Sequence, residues 1–123
     1  MKFTLDNAGN RYRIKSFEQG VINIDDCEYR TSLVVTTEQL FADWPVDSLD
    51  ALSSDHLAQI ADLGIDVLLL GTGRRQRFPH PSVTSGLASR GIGVEIMDTA
   101  AACRTFNVLI SEGRAVAAAL IID

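Results

Sequence analysis

The sequence predicts an α/β fold in a single domain over residues 1–123, with a β-rich part at about 1–37 and an α/β part at about 53–123. A composition of 46% hydrophobic and 22% charged residues allows a packed core. Apolar residues alternate in the first third, whereas helical segments alternate with aliphatic runs in the second half. We therefore expect a three-layer α/β domain with a mixed, mostly parallel central sheet, helices on at least one of its faces, the N-terminal strands as an added layer or edge, and a C-terminal antiparallel hairpin.

Three short antiparallel strands are predicted in the first third, within "RYRIKSFEQG", "VINIDDCEYR" and "TSLVVTT". Apolar side chains recur there at about every second position, as in strands with one buried face. Gly20 and the Asp25–Asp26 pair interrupt these runs and predict turns. The next stretch, "LFADWPVDSLDAL", is predicted to be a loop in which Trp44, held extended by Pro45, covers the core.

The second half begins with two predicted helices, each followed by a strand. Ser53 or Ser54 is placed to cap a helix that ends before Gly64, and the aliphatic run "IDVLLL" follows as a strand. Pro81 suits the first turn of a helix that runs through Arg90, and "IGVEIM" follows as a buried strand. A glycine follows both helices, at 64 and 91, and we expect positive φ angles there and at 113.

The last quarter predicts a short helix and a hairpin. Asp98 or Thr99 is placed to cap the helix "AAACRT". The segments "FNVLIS", "EGR" and "AVAAALII" then predict a strand, a tight turn and a final strand. Three residues are too few for a crossover connection, so these two strands are expected to pair antiparallel.

The charge distribution excludes some partners and suggests others. A net charge of -5 disfavours general binding to nucleic acid or to an anionic membrane. Between Glu38 and Asp66 the chain has seven acids and no lysine or arginine. Arginines concentrate after that segment, which predicts an acidic side and a basic loop. The first ten residues have no apolar run and the longest apolar runs are short, so we expect no signal peptide, no membrane insertion and a cytoplasmic location.

A glycine-rich turn followed by arginines is the first candidate site. The Gly-Thr-Gly stretch at 71–73 follows a strand directly, where backbone N–H groups can face an anion. Arg74, Arg75 and Arg77 can pair with carboxylate or phosphate. With Gln76 at the sixth position and no G-K-S/T, neither dinucleotide nor P-loop patterns are met. The alternatives are a structural turn for the glycines, and a solvated loop or a dock for an acidic partner for the arginines.

A second candidate site lies where the third helix begins. Parallel strands end at the same edge of a sheet, so Asp98 and Thr99 should border a crevice together with residues 71–73. Any ligand there is expected to bind mainly to the backbone N–H groups of 71–73 and 99. Arg104 is expected to reach Asp98, which would stay ionised as a structural cap, and mutation of either should lower stability. Asn107 is included without an assigned role.

Other reactive residues are predicted to be structural. Cys27 and Cys103 lack metal-ligand spacing, and we expect both to be buried and reduced. A thiol near a helix C-terminus has a raised pKa, which makes Cys103 a poor nucleophile. His80, between two prolines, is expected to start a helix. The sequence thus predicts no catalytic residue, metal or cofactor, and its candidate ligand- or partner-binding residues are Gly71, Thr72, Gly73, Arg74, Arg75, Arg77, Asp98, Thr99, Arg104 and Asn107.

Two motifs resemble a known family. The stretch from 65 to 122, with M-D-T-x-x-A-x-R-T-x-N and E-G-R-x-V-A-A-A-L, is similar to a widespread small domain of unknown function, and Gly20, Tyr29, Ser32 and Trp44 match more loosely. That family includes a mitochondrial assembly factor for respiratory complex I. The resemblance implies a three-layer fold (β+α/β/α) around a mixed sheet of about five strands. It implies no established enzymatic activity and, for the mitochondrial branch, a role in protein assembly.

Two hypotheses follow from the residues and the resemblance together. The first is a non-catalytic module that binds a protein partner through the arginine loop and assists assembly. The second is a small-molecule or anion site, which could be catalytic, in the crevice between 71–73 and 98–99. The absence of a recognisable nucleophile–base pair or metal-ligand motif favours the first.

Overall fold

Three short strands open the part of the chain that the computed structural model describes, residues 11–123. They are β1 (Ile14–Glu18), β2 (Val21–Ile24) and β3 (Cys27–Tyr29), and they form an antiparallel sheet in the order β1-β2-β3. The turns between them lie where the sequence predicts, at Gly20 and at the Asp25–Asp26 pair, all with positive φ. The predicted strand "VINIDDCEYR" is two strands, and the predicted strand "TSLVVTT" joins the central sheet instead of this one. The expectation that the first ten residues form no signal peptide concerns residues outside the described part.

The central sheet has five strands in the order β5-β4-β8-β6-β7. These are β4 (Leu33–Thr36), β5 (Leu40–Phe41), β6 (Val67–Gly71), β7 (Gly93–Met97) and β8 (Val116–Leu120). β6 pairs parallel with both β7 and β8, whereas β4 pairs antiparallel with β5 and β8. The sheet therefore has two parallel and two antiparallel strand pairs, and is not mostly parallel as predicted. The cause is β4, which is buried along its whole length and joins the sheet beside β8.

The three helices begin at the capping residues that the sequence indicates. α1 (Ser54–Ala61) has Ser53 as its cap, with a reciprocal hydrogen bond between the backbone of Ser53 and the side chain of His56. α2 (Pro81–Ser89) begins with a proline, and α3 (Thr99–Ser111) has Asp98 as its cap. Within residues 11–123, none of the helices has the length and apolar character needed to cross a bilayer.

The two faces of the central sheet bury separate apolar clusters. In β6, Leu68 and Leu70 contact the residues of α1 and α2, whereas Val67 and Leu69 contact α3 and the three-stranded sheet. Successive residues of a strand point to opposite faces, so one aliphatic strand supplies both clusters. Three consecutive alanines in β8, all fully buried, let backbone and helices approach the middle of the sheet closely.

The predicted C-terminal hairpin is wrong. The segment 106–111 continues α3 as helix, and β8 pairs with β4 and β6 instead. Buried residues in α3 fall at 99, 102, 103 and 106, with partly buried residues at 109 and 110, which is the spacing of one helical face. Packing of that face against β6 and β8 outweighs the weak strand preference of Phe, Val and Ile in this stretch.

The glycines after α1 and α2 provide a direct test of the helix ends. Gly64 has φ +77°, a conformation in which a side chain is strained, although a Cβ there meets no neighbour within 4 Å. Gly64→Val should therefore lower the free energy of unfolding by about 1 kcal/mol or more through backbone strain alone. Gly86, inside α2 with equally open surroundings and without positive φ, is the matched control. Gly86→Ala should raise the free energy of unfolding by up to about 1 kcal/mol. Equal denaturation midpoints for both variants would contradict the assignment.

Candidate binding site

The carboxyl ends of the parallel strands bring three chain segments to one edge of the central sheet. β6 leads into the loop 72–80, β7 leads into Asp98, and β8 leads into residues 121–123. Because β6 is parallel to both neighbours, all three segments meet there. Crevices at this edge are the usual ligand-binding places of open α/β sheets.

Thr99 closes the crevice that the sequence predicts between 71–73 and 98–99. Its fully buried hydroxyl accepts a hydrogen bond from the Gly73 N–H at 2.9 Å and donates one to the carbonyl of Ile121 at 2.7 Å. The Thr99 N–H donates to the carbonyl of Gly73 at 2.9 Å. The N–H groups of Gly73 and Thr99 therefore already have protein partners, which occupy two of the backbone groups that were expected to contact a ligand.

Gly71 is required by this same contact. A Cβ at Gly71 would lie 2.9 Å from both Cα and Oγ1 of Thr99, and 3.2 Å from a methyl group of Leu120. No side chain fits there unless the backbone of α3 moves away. The glycine therefore permits close packing between the end of β6 and the start of α3.

Thr72 organises the loop that carries the arginines. Its hydroxyl donates to the carbonyl of Arg75 at 2.6 Å and accepts from the N–H of Arg77 at 3.2 Å. Its own N–H donates to the carbonyl of Met97 at 2.9 Å. Thr72 is 2% exposed, so it shapes the loop from beneath.

The arginines point outward around an open cleft. Its volume is about 320 Å³, and its walls are Thr72, Arg74, Arg75, Arg77 and Asp123. Arg77 bonds to Asp50 at 2.9 Å, and the Arg74 guanidinium lies 3.7 Å from the Asp123 carboxylate. In the described part of the chain Arg75 has no carboxylate at ion-pair distance. The predicted basic loop is thus exposed, with two of its charges partly balanced.

Three residues of this surface were not identified from the sequence. Phe78 is 71% exposed, the highest among the exposed large hydrophobic residues of 11–123. The signal for it was present, because a phenylalanine between an arginine and a proline belongs to no periodic apolar pattern. Asp50 and Asp123 approach the loop only through the fold, from 27 and 49 positions away, so no local signal exists for them.

Asp98 caps α3, but its expected pairing with Arg104 is absent. The Asp98 carboxylate accepts the N–H of Ala101 at 2.8 Å. No ion pair joins Asp98 and Arg104 within residues 11–123, and Arg104 is exposed. The prediction assumed a short helix, whereas six residues of a long one rotate the arginine to another side. Arg104 therefore lies outside this structural unit.

Asn107 is a structural residue at a different place. Its side-chain oxygen accepts the N–H of Ile14 at 3.0 Å, and its amide donates to the carbonyl of Ile14 at 2.6 Å. Ile14 begins β1 and is 4% exposed. Asn107 thus fastens the three-stranded sheet to α3, on the face of the central sheet that α3 covers.

The remaining candidate reactive residues are accounted for as follows. Burial raises the pKa of the Cys103 thiol to about 12, so it is unreactive near neutral pH. The predicted cause, a helix C-terminus, is wrong, because α3 continues to Ser111. Cys27, expected to be buried, is exposed, because β3 is an edge strand of the small sheet.

His80 caps α2 by accepting the N–H of Ser82 at 3.0 Å. Trp44 is half-buried against the core and meets His56 edge to face. The described residues contain no cluster of three potential metal ligands.

The sequence matches a known protein family along most of its length. A family model described as "Protein of unknown function (DUF498/DUF598)" matches residues 14–121. The chain is 46% identical over 80 residues to the Danio rerio "NADH dehydrogenase (ubiquinone) 1 alpha subcomplex assembly factor 3", a match that covers 63% of this chain and 46% of that protein. The human protein of the same name is 39% identical over 80 residues, covering 63% and 44%. The chain thus spans less than half the length of these relatives.

Bacterial relatives match over nearly their full length. A Francisella tularensis protein named "13 kDa major membrane protein" is 28% identical over 109 residues, which cover 87% of this chain and 88% of that protein. A crystal structure of a Bordetella parapertussis protein has a TM-score of 0.87 at 37% identity, covering 92% and 97%. A solution structure from Bordetella pertussis, described as a Mth938-like domain, has a TM-score of 0.82 at 31% identity, covering 100% and 93%.

Proposed function

The chain belongs to the family described as "Protein of unknown function (DUF498/DUF598)", and from this premise we propose that it is a non-catalytic protein-binding module that assists the assembly of a protein complex. The observation that carries the proposal is the exposed loop with Arg74, Arg75, Arg77 and Phe78 at the carboxyl edge of the sheet. We call these four residues the arginine–phenylalanine surface.

The composition of this surface favours a protein partner. Arginine and aromatic residues are enriched among the residues that dominate binding energy at protein interfaces. A phenylalanine that is 71% exposed loses contact with water when a partner covers it, which contributes favourable free energy. Thr72 fixes the loop from below through two hydrogen bonds, so little conformational entropy is lost on binding.

The names of relatives support an assembly role without identifying the partner. Several curated vertebrate relatives are called assembly factors of NADH dehydrogenase, and those proteins are about twice as long as the matched region. We propose the same kind of activity for this chain, that is, transient binding to a protein subunit. Involvement in a respiratory complex is part of this proposal.

Loss of the arginine–phenylalanine surface should abolish capture of the partner. We expect an Arg74→Ala/Arg75→Ala/Phe78→Ala variant to lose proteins that co-purify with the parent from the native cell, with affinity at least about tenfold weaker when the partner is purified. Quantitative mass spectrometry of the proteins captured by the parent and by the triple variant gives the measurement.

We place the complex in the cytoplasm, so parent and partner should stay in solution when membranes are pelleted.

Arg114→Ala, which removes an exposed arginine away from this surface, is the control for this experiment. Arg114 is exposed just before β8, at the opposite end of that strand from the cleft. Its replacement should leave the captured proteins unchanged. An unchanged set of proteins with the triple variant would refute the proposed binding surface, and recovery of the complex with the membranes would refute its location.

A small-anion site is the second candidate function, because three arginines surround one cleft of about 320 Å³. Its binding energy would come from the guanidinium groups, since the nearby backbone N–H groups are engaged. A metabolite that co-purifies with the parent and with Phe78→Ala, but not with Arg75→Ala, would support this function over protein binding.

A further inference from the structure

The cleft of the arginine–phenylalanine surface already holds a carboxylate from the chain itself. Asp123 accepts the backbone N–H of Arg74 at 3.2 Å, and the same oxygen lies 3.7 Å from the Arg74 guanidinium. The Asp123 side chain is 36% exposed, so the carboxylate faces the cleft opening. A backbone N–H and a guanidinium that converge on one oxygen are a typical arrangement for recognising a carboxylate.

Gly73 makes room for this carboxylate. It has φ +101°, and a Cβ built on it would overlap the carboxylate of Asp123 and lie 2.7 Å from its Cγ. The N–H of the next residue, Arg74, donates to the same carboxylate. The pocket is therefore shaped for a carboxylate. The Asp123 carboxylate occupies it through two contacts with Arg74, each exposed and individually weak.

The surroundings of the pocket are suited to more than one carboxylate. Arg75 has no carboxylate at ion-pair distance within the part of the chain that the structure describes, and Arg77 shares only Asp50, whose side chain is 82% exposed. Phe78 adds an apolar area to the same loop. An acidic peptide segment with an apolar residue would match both features, whereas a small anion would leave Phe78 uncovered.

We propose that this pocket binds an aspartate or glutamate side chain of the partner protein, within an acidic segment that also carries an apolar residue, and that Asp123 is an internal competitor that must move aside. This inference rests on the proposed protein-binding function and specifies the chemistry of the partner. The net charge of -5 repels acidic peptides in general, so binding of one would depend on the local arginines.

The test measures binding of a fluorescent peptide of alternating glutamate and leucine to the full chain by anisotropy. Asp123→Asn should bind about twofold to fivefold more tightly than the parent, as expected for removal of an exposed ion-pair competitor. Asp66→Asn carries the same charge change before β6, at the opposite end of that strand, and should bind like the parent. In an NMR titration of the parent, the amide signal of Arg74 should shift as the peptide displaces Asp123.

Several results would overturn the inference. These are equal affinity for the matching glutamine peptide, weaker or unchanged binding by Asp123→Asn, an equal gain with Asp66→Asn, or displacement of the peptide by inorganic phosphate as effective as by the unlabelled peptide. The last result would assign the pocket to small anions. Capture of a protein partner that depends on the arginine–phenylalanine surface, without peptide binding, would refute this inference and leave the proposed function standing.

Discussion

Thr99→Val should lower the free energy of unfolding by about 2 to 4 kcal/mol, because two buried polar groups would lose their partner at once. The Thr99 hydroxyl bridges the N–H of Gly73 and the carbonyl of Ile121, and its side chain is fully buried. Valine has a similar volume, so little of the loss would come from a cavity. Urea denaturation followed by circular dichroism measures the difference.

Thr99→Ser is the matched control. Serine keeps the hydroxyl that joins the ends of β6 and β8 to α3, and it lacks only one methyl group. We expect a loss of about 1 kcal/mol, the contribution of one buried methyl group. If the valine variant were as stable as the serine variant, the hydroxyl would not be the group that holds this edge together.

Asn107→Ala should lower the free energy of unfolding by about 1 to 3 kcal/mol and loosen the three-stranded sheet first. The Asn107 amide satisfies both the N–H and the carbonyl of Ile14, 93 positions away. Alanine leaves both backbone groups without a partner beside a nearly buried side chain. Hydrogen exchange should show faster exchange at Ile14, while the central sheet keeps its protection.

Arg104→Ala is the control on the same helix. Arg104 is exposed and has no ion pair among residues 11–123, so its replacement should change stability by less than about 0.5 kcal/mol. This expectation replaces the earlier one of a structural Asp98–Arg104 pair. Equal losses from Asn107→Ala and Arg104→Ala would contradict the assigned role of Asn107.

The sequence predicted which segments meet at the edge of the sheet, but not how they contact one another. Parallel strands must end at one edge, so the sequence pattern alone brought residues 71–73 and Asp98 together. It did not show that Thr99 fills the space between them, because the partner of a hydroxyl depends on side-chain packing. The arginines were correctly expected to be exposed, whereas the carboxylate of Asp123 reaches them from 49 positions away.

The sequence by itself determined the features that depend on near neighbours. The caps at Ser53 and Asp98, the glycine conformations after the helices and the turns at Gly20 and Asp25–Asp26 follow from hydrogen bonds and φ preferences within a few residues. Only the tertiary structure decided that β4 lies beside β8, that 106–111 is helix, and that Asn107 binds Ile14. The physical reason is that these outcomes depend on burial and hydrogen-bond partners far away in the sequence, which no local preference specifies.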